Sequence, residues 1–166
     1  MTLERLWAPW RNAYVTGGVN EPGCILCRAL EGASAEDSLV VHVAPWSFIV
    51  MNLYPYNSGH LMVAPRRHVG SLGAATAEEL AEIMALARRL EEVMNEVYHP
   101  DGMNLGMNLG RTAGAGVADH IHLHVVPRWT GDTNFMTTAG GTRVISEDPK
   151  LACARLRPYF SPMKTP

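Results

Sequence analysis

The sequence predicts an α+β fold, a largely antiparallel sheet of about five strands carrying one long helix. Three patterns predict it. Residues 39–43, 48–53 and 61–64 are short β-like runs parted by Pro, Asn, Ser and Gly. Residues 76–99 carry a helical period of apolar side chains. Residues 103–109 and 120–126 alternate apolar with small or polar residues, the period of a strand.

Taken in order, residues 1–36 form an N-terminal arm of little periodicity, in which Trp7, Trp10 and Arg11 are packing anchors or a contact between subunits. The three short strands follow, with His42 as an outward strand residue. The helix opens at Thr76-Ala77-Glu78-Glu79, the form of a capping box, in which hydroxyl and carboxylate satisfy otherwise free N–H groups. Leu80, Ile83, Met84, Ala87, Leu90, Met94 and Val97 then make one stripe, opposite Glu82, Arg88, Arg89, Glu92 and Glu96. The helix ends near His99-Pro100-Asp101-Gly102, because a residue before proline avoids helical geometry. His99 there is read as favourable charge placement at a helix end. Two more strands lead to a C-terminal arm, residues 136–166. The whole chain of 166 residues reads as a single domain with its core at about 37–135.

Composition excludes several classes. Apolar residues make up 47% and charged residues 18%, enough for a packed core and against intrinsic disorder. With 14 Lys plus Arg against 16 Asp plus Glu, no basic surplus is present to hold a polynucleotide. Residues 38–65 lack charge, yet Pro45, Pro55, Pro65, His42, Asn52, Asn57 and His60 argue against a membrane span. Residues 1–15 show no export signal, so a cytoplasmic location is the expectation.

Three features carry chemistry. In His120-Ile121-His122-Leu123-His124-Val125, a strand would place the three histidines on one face and Ile121, Leu123 and Val125 in the core. A solvated strand edge and a catalytic three-histidine metal site are the competing readings. Upstream, Asn108-Leu109-Gly110-Arg111-Thr112-Ala113-Gly114-Ala115-Gly116 is a loop whose backbone N–H groups can converge on phosphate, though glycine turns between strands are common. Cys24 and Cys27 form a C-x-x-C, open between half a zinc site, a redox couple and two incidental residues; Cys153 stands alone.

With these residues in view, the sequence resembles the histidine triad superfamily of nucleotidyl hydrolases and transferases, whose signature is His-x-His-x-His followed by two apolar residues. Residues 52–63, Asn108 with its glycine loop, Val126-Pro127-Arg128-Trp129 and Gly131-Asp132-Thr133-Asn134-Phe135 look like the bacterial branch that cleaves diadenosine tetraphosphate. The resemblance covers roughly residues 39–135 and the Trp-rich arm. It implies a fold of that family and a role for each matching position. His122 matches the nucleophile that forms a covalent nucleotidyl-imidazole on the α-phosphorus. His124 is expected at the phosphate, and His60 is expected to support the triad by hydrogen bonding. Asn52 matches the ribose-binding position, and Phe48, Val50 and Leu53 fall on positions around the base pocket, each reading equally as plain core and Phe48 first as core. Asn108 matches the amide beside the scissile phosphate, and Gly114, Ala115 and Gly116 the phosphate loop. At Gly116 the sequence departs from relatives that carry Gln or Ser, leaving only backbone there. Arg111, Arg128 and Asp132 are candidates to reach polyphosphate, with a solvated face as the default reading of each.

Zinc-bearing relatives complete a site that corresponds here to Cys24, Cys27, His68 and His120, a closed tetrahedral set and so a structural zinc. The resemblance implies a homodimer acting on adenine dinucleoside polyphosphates. With inorganic phosphate as acceptor it is a diadenosine tetraphosphate phosphorylase giving ADP and ATP. Alternatives are a Fhit-like hydrolase, a nucleoside phosphoramidase and a non-catalytic nucleotide-binding module.

Overall fold

The computed structural model describes residues 23–133 and 147–160. Trp7, Trp10, Arg11, Asn134 and Phe135 lie outside them, as does most of the C-terminal arm. Five antiparallel strands form one sheet: β1 (Val40–Val43), β2 (Ser47–Met51), β3 (Leu61–Pro65), β4 (Gly102–Gly106) and β5 (Leu123–Arg128), in the order β1-β2-β3-β5-β4. The helices are α1 (Ile25–Glu31), α2 (Ala77–Val97) and α3 (Pro149–Leu156). Among the described residues, no helix is long and apolar enough to cross a membrane.

The arms carry more structure than their sequence suggests. α1 is a short helix of 7 residues starting after Cys24, too brief for a periodicity argument. α3 has the start signal Asp148-Pro149, the Asp side chain accepting from the Lys150 N–H at 2.7 Å. The segment after α3 docks on the first strand. Arg157 donates to the carbonyls of Val40 and Ser38, and the Phe160 ring lies 5.8 Å from His42. His42 is therefore half-buried rather than outward, and burial pushes its imidazole pKa down.

The sheet has two apolar faces because its strands alternate. Ile49, Met51, Leu61, Val63, Leu123 and Val125 pack against α2 and α3. Phe48, Val50, Met62 and Ala64 point the other way, where Leu26 of α1 covers them. On α2 the buried stripe includes Leu86 and Val93, whereas Met84, expected in it, is 58% exposed. The stripe is thus centred on Ile83, Leu86, Leu90 and Val93 rather than on the line through Met84. The capping box forms as expected, with Glu79 N–H on Thr76 Oγ1 at 3.2 Å and Thr76 N–H on the Glu79 carboxylate at 2.8 Å. Arg67 adds a bidentate pair to the same buried carboxylate and holds its pKa below the usual range.

β5 starts later than the alternation suggests, and a proline explains it. Register pairs Leu61 with Val125 and Val63 with Leu123. Continuing it would set Pro65 against Ile121, but Pro65 has no N–H to give to a ladder. Pairing stops, Ile121 N–H turns to the Val69 carbonyl at 2.8 Å, and the Pro65 carbonyl takes the His120 Nε2–H at 2.8 Å. His120 and His122 therefore precede the ladder and only His124 lies in it. β4 likewise ends at Gly106, leaving Asn108 in the following loop.

Gly59, just before His60, has φ +73, and a Cβ there would stand 2.7 Å from Met94 Cε and 3.3 Å from Pro127 Cγ. Gly59→Ala should lower stability by about 1–3 kcal/mol, read as a lower urea midpoint; an unchanged midpoint would show that this turn tolerates a side chain.

Candidate active site

The histidine cluster is ordered by hydrogen bonds whose direction follows from the partners. His122 Nδ1 lies 2.8 Å from the His120 carbonyl oxygen, which can only accept, so Nδ1 carries the proton and the Nε2 lone pair is left free. A second chain begins at the backbone. Tyr56 N–H donates to His60 Nδ1 at 3.0 Å, so the neutral His60 ring holds its proton on Nε2 and gives it to His124 Nδ1 at 2.9 Å. His124, accepting at Nδ1, is then a donor at Nε2. The two adjacent rings, 4.8 Å apart and nearly perpendicular, thus hold opposite roles: a lone pair on His122 and an N–H on His124. Burial lowers the His122 pKa and so favours the neutral ring, while the bond to the His120 carbonyl works in the opposite direction.

These rings sit at one end of a cleft of about 650 Å³ between the sheet and α1. Asn52, Leu53, Val50, Gly114 and Gly116 line it together with His122 and His124. Phe48 does not. It is fully buried behind Val50, packed with Leu26 and Met62, and belongs to the floor. The Asn52 amide is engaged within its own turn, Oδ1 accepting from Tyr54 N–H at 3.0 Å and Nδ2 reaching His60 Nδ1 at 3.3 Å. Ala115 does not line the cleft. Its N–H and that of Gly114 donate inside the loop, to the carbonyls of Gly110 at 3.3 Å and Arg111 at 2.9 Å, so the phosphate nest is narrower than the glycine count suggests. Asn108 lies in a smaller neighbouring hollow that also touches His124.

Sequence reasoning missed one wall of the cleft. Ile25, Leu26, Arg28 and Ala29 of α1 line it. The only trace in the sequence is a single four-residue step, from Ile25-Leu26 between the two cysteines to Ala29-Leu30, too little to define a period. It also missed a clamp after β5. Arg128 and Asp132 form a bidentate ion pair at 2.6 and 2.8 Å, not a solvated face. Asn57 Nδ2 joins it at 2.7 Å and reaches the Pro127 carbonyl at 3.0 Å, tying the loop before His60 to the strand that carries His124. Arg128, and after it Asn57, hold the Asp132 carboxyl well below the usual carboxylate range.

Beside the triad, Cys24, Cys27, His68 and His120 offer one ligand atom each, all within 4.8 Å of one another. His120 Nδ1 is 3.3 Å from Cys24 Sγ, and His68 Nδ1 is 3.4 Å from Cys27 Sγ. Because His120 Nε2–H is given to the Pro65 carbonyl, its Nδ1 lone pair faces the thiols. A ring locked in the ligating tautomer by a carbonyl is the usual arrangement around bound zinc. Two sulfurs and two ring nitrogens, that of His120 fixed in the ligating tautomer, suit a tetrahedral soft-metal site.

The chain is similar to known proteins in both sequence and structure. The sequence pattern described as the HIT domain matches residues 34–131. The chain is 43% identical to the AP-4-A phosphorylase of Mycobacterium tuberculosis, over 87% of this chain and 78% of that protein. It is 35% identical to the bis(5'-adenosyl)-triphosphatase of Dictyostelium discoideum over 49% of this chain and 54% of the relative. In structure it resembles a zinc-bound histidine triad family protein from Mycobacterium smegmatis, with a TM-score of 0.66 and 27% identity, covering 82% of this chain and 92% of that one. The chain belongs to the HIT-domain family, the histidine triad proteins.

Proposed function

We propose that the protein is an enzyme that transfers a nucleotidyl group from a dinucleoside polyphosphate, with His122 as nucleophile and inorganic phosphate as the acceptor. The observation that carries this is the pair of opposed tautomers. His122 holds its proton on Nδ1 against the His120 carbonyl and lines the cleft with a free lone pair, while the His60 chain makes its neighbour His124 a donor. The apolar cleft is sized for a nucleoside, within the usual range of small-molecule sites.

In the first step His122 Nε2 bonds to the α-phosphorus as the bond from phosphorus to the bridging oxygen breaks. The electron pair leaves with that oxygen. Nδ1 keeps its proton, and the carbonyl facing it stabilises the positive charge that the ring gains. His124 donates where negative charge gathers on the phosphoryl oxygens, the kind of placement that dominates phosphoryl transfer. In the second step an acceptor oxygen bonds to phosphorus, the pair of the N–P bond returns to Nε2, and the acceptor loses its proton to solvent. Phosphate yields ADP plus ATP from diadenosine tetraphosphate, and water yields AMP instead. Similarity to a phosphorylase favours the first. Gly116 supplies no side-chain donor, so Asn108 is the amide we assign to the leaving side.

We assign zinc to Cys24, Cys27, His68 and His120. It would neutralise the two thiolates and tie α1 to the residue whose carbonyl holds His122. The zinc-bound histidine triad relative supports the metal identity. A homodimer, which family resemblance implies, is read directly by sedimentation.

His122→Asn should lower kcat on diadenosine tetraphosphate by about 10³-fold or more, and His124→Asn by about 10²-fold, in product-release assays. Equal small losses would leave a binding module as the better account. Omitting phosphate should abolish ADP formation, and phosphate-independent AMP release would replace phosphorolysis with hydrolysis. Metal analysis should find about one zinc per chain, lost in a Cys24→Ser, Cys27→Ser variant along with a lower Tm. Metal-free protein with an unchanged Tm would remove the assignment.

A further inference from the structure

His124 and Tyr56 border two hollows. One is the apolar cleft beside α1. The other, of about 310 Å³, lies over β4 and β5 and is lined by Asn104, Gly106, Asn108 and Arg128 together with the apolar Leu105, Met107 and Val126. The ladder sets Gly106 directly opposite His124, and directly paired residues share a face, so the missing side chain of Gly106 opens space beside the donor ring.

Nothing in the fold demands glycine at 106. Its φ is not among the positive ones, and a Cβ placed there meets no atom within 4 Å. Gly106 closes its strand, and a strand glycine with neither strain nor crowding to explain it is one mark of a place where a ligand or another backbone comes close. The polar groups around it suit one kind of ligand. Arg128 Nη1 donates to Asn104 Oδ1 at 2.8 Å, which turns the Asn104 amide so that its Nδ2 hydrogens face away from the guanidinium. Asp132 balances the Arg128 charge through its bidentate pair. The hollow therefore offers hydrogen-bond donors at low net charge, which holds phosphate oxygens without trapping them.

We propose that this hollow is the subsite for the exchanging group: the polyphosphate of the departing nucleotide in the first step and the acceptor phosphate in the second. The inference rests on the nucleotidyl-transfer reading above and adds to it where the leaving half sits. Both groups must enter or leave in each turnover, beside the phosphorus and away from the nucleoside. The hollow across His124 from the apolar cleft meets that requirement. The scissile Pα–O bond would lie at the boundary between the two hollows, its electron pair departing with the oxygen toward the Asn104 and Asn108 amides of the second.

The test is Gly106→Val, a residue that strands accept readily, with Asn104→Leu as a second variant. Two quantities are measured on wild type and variants: kcat/KM for diadenosine tetraphosphate with inorganic phosphate, and the Kd of AMP by calorimetry. The expected result is a tenfold or greater fall in kcat/KM for both variants, with AMP affinity within twofold of wild type. Turnover within twofold of wild type would overturn the subsite, and so would an AMP affinity that falls in parallel, since the nucleoside cleft would then be what changed. Wild-type protein that binds AMP yet turns over no dinucleoside polyphosphate would instead overturn the functional reading, and the subsite with it.

Discussion

One hydrogen bond organises the site: His122 Nδ1–H to the carbonyl of His120, two residues earlier in the same extended segment. An imidazole has two nitrogens and, when neutral, one proton. Fixing that proton on Nδ1 decides which atom can attack phosphorus. The neighbouring His124 is fixed the opposite way by a chain that starts at the Tyr56 backbone and passes through the fully buried His60. Identical side chains thus acquire different roles from their partners alone. The carbonyl that orders His122 belongs to His120, whose own ring is held between Pro65 and the two thiols, so the proposed metal site and the proposed nucleophile share one residue.

Pro65 supports this arrangement through something it lacks. With no N–H to continue the ladder toward β5, it frees the segment around His120 and His122 from strand pairing. Its carbonyl is then available for a side chain. An ordinary residue there could extend the ladder and draw the segment into the sheet. The clamp of Arg128, Asp132 and Asn57 does a complementary job at the other end of β5, holding the loop before His60 against the strand that carries His124.

The parts of the fold that were legible in the sequence are those with local causes. The capping box of α2, the alternation of Leu61 and Val63 and of Leu123 and Val125, and the stop before Pro100 each need only neighbouring residues to explain them. The cysteine and histidine set is gathered from distant segments, and it was accessible through family resemblance rather than from spacing. What stayed hidden depends on long-range contact. α1 is too short to show a period and takes its place as a cleft wall from packing on Phe48 and Val50. Arg128 and Asp132 read as surface charges until Asn57, 75 residues from Asp132 in sequence, closes the clamp. The late start of β5 follows from the pairing of two strands far apart in the chain. The glycine loop, finally, has the composition of a phosphate nest, yet two of its N–H groups are spent on its own carbonyls.

The most direct measurement is a rapid quench of enzyme with diadenosine tetraphosphate labelled at the α-phosphate, followed by peptide mass spectrometry. Label held on His122 through Nε2, appearing before product and discharged on adding phosphate, is the predicted result. Steady turnover with no label on protein, or label on a different residue, would contradict the account.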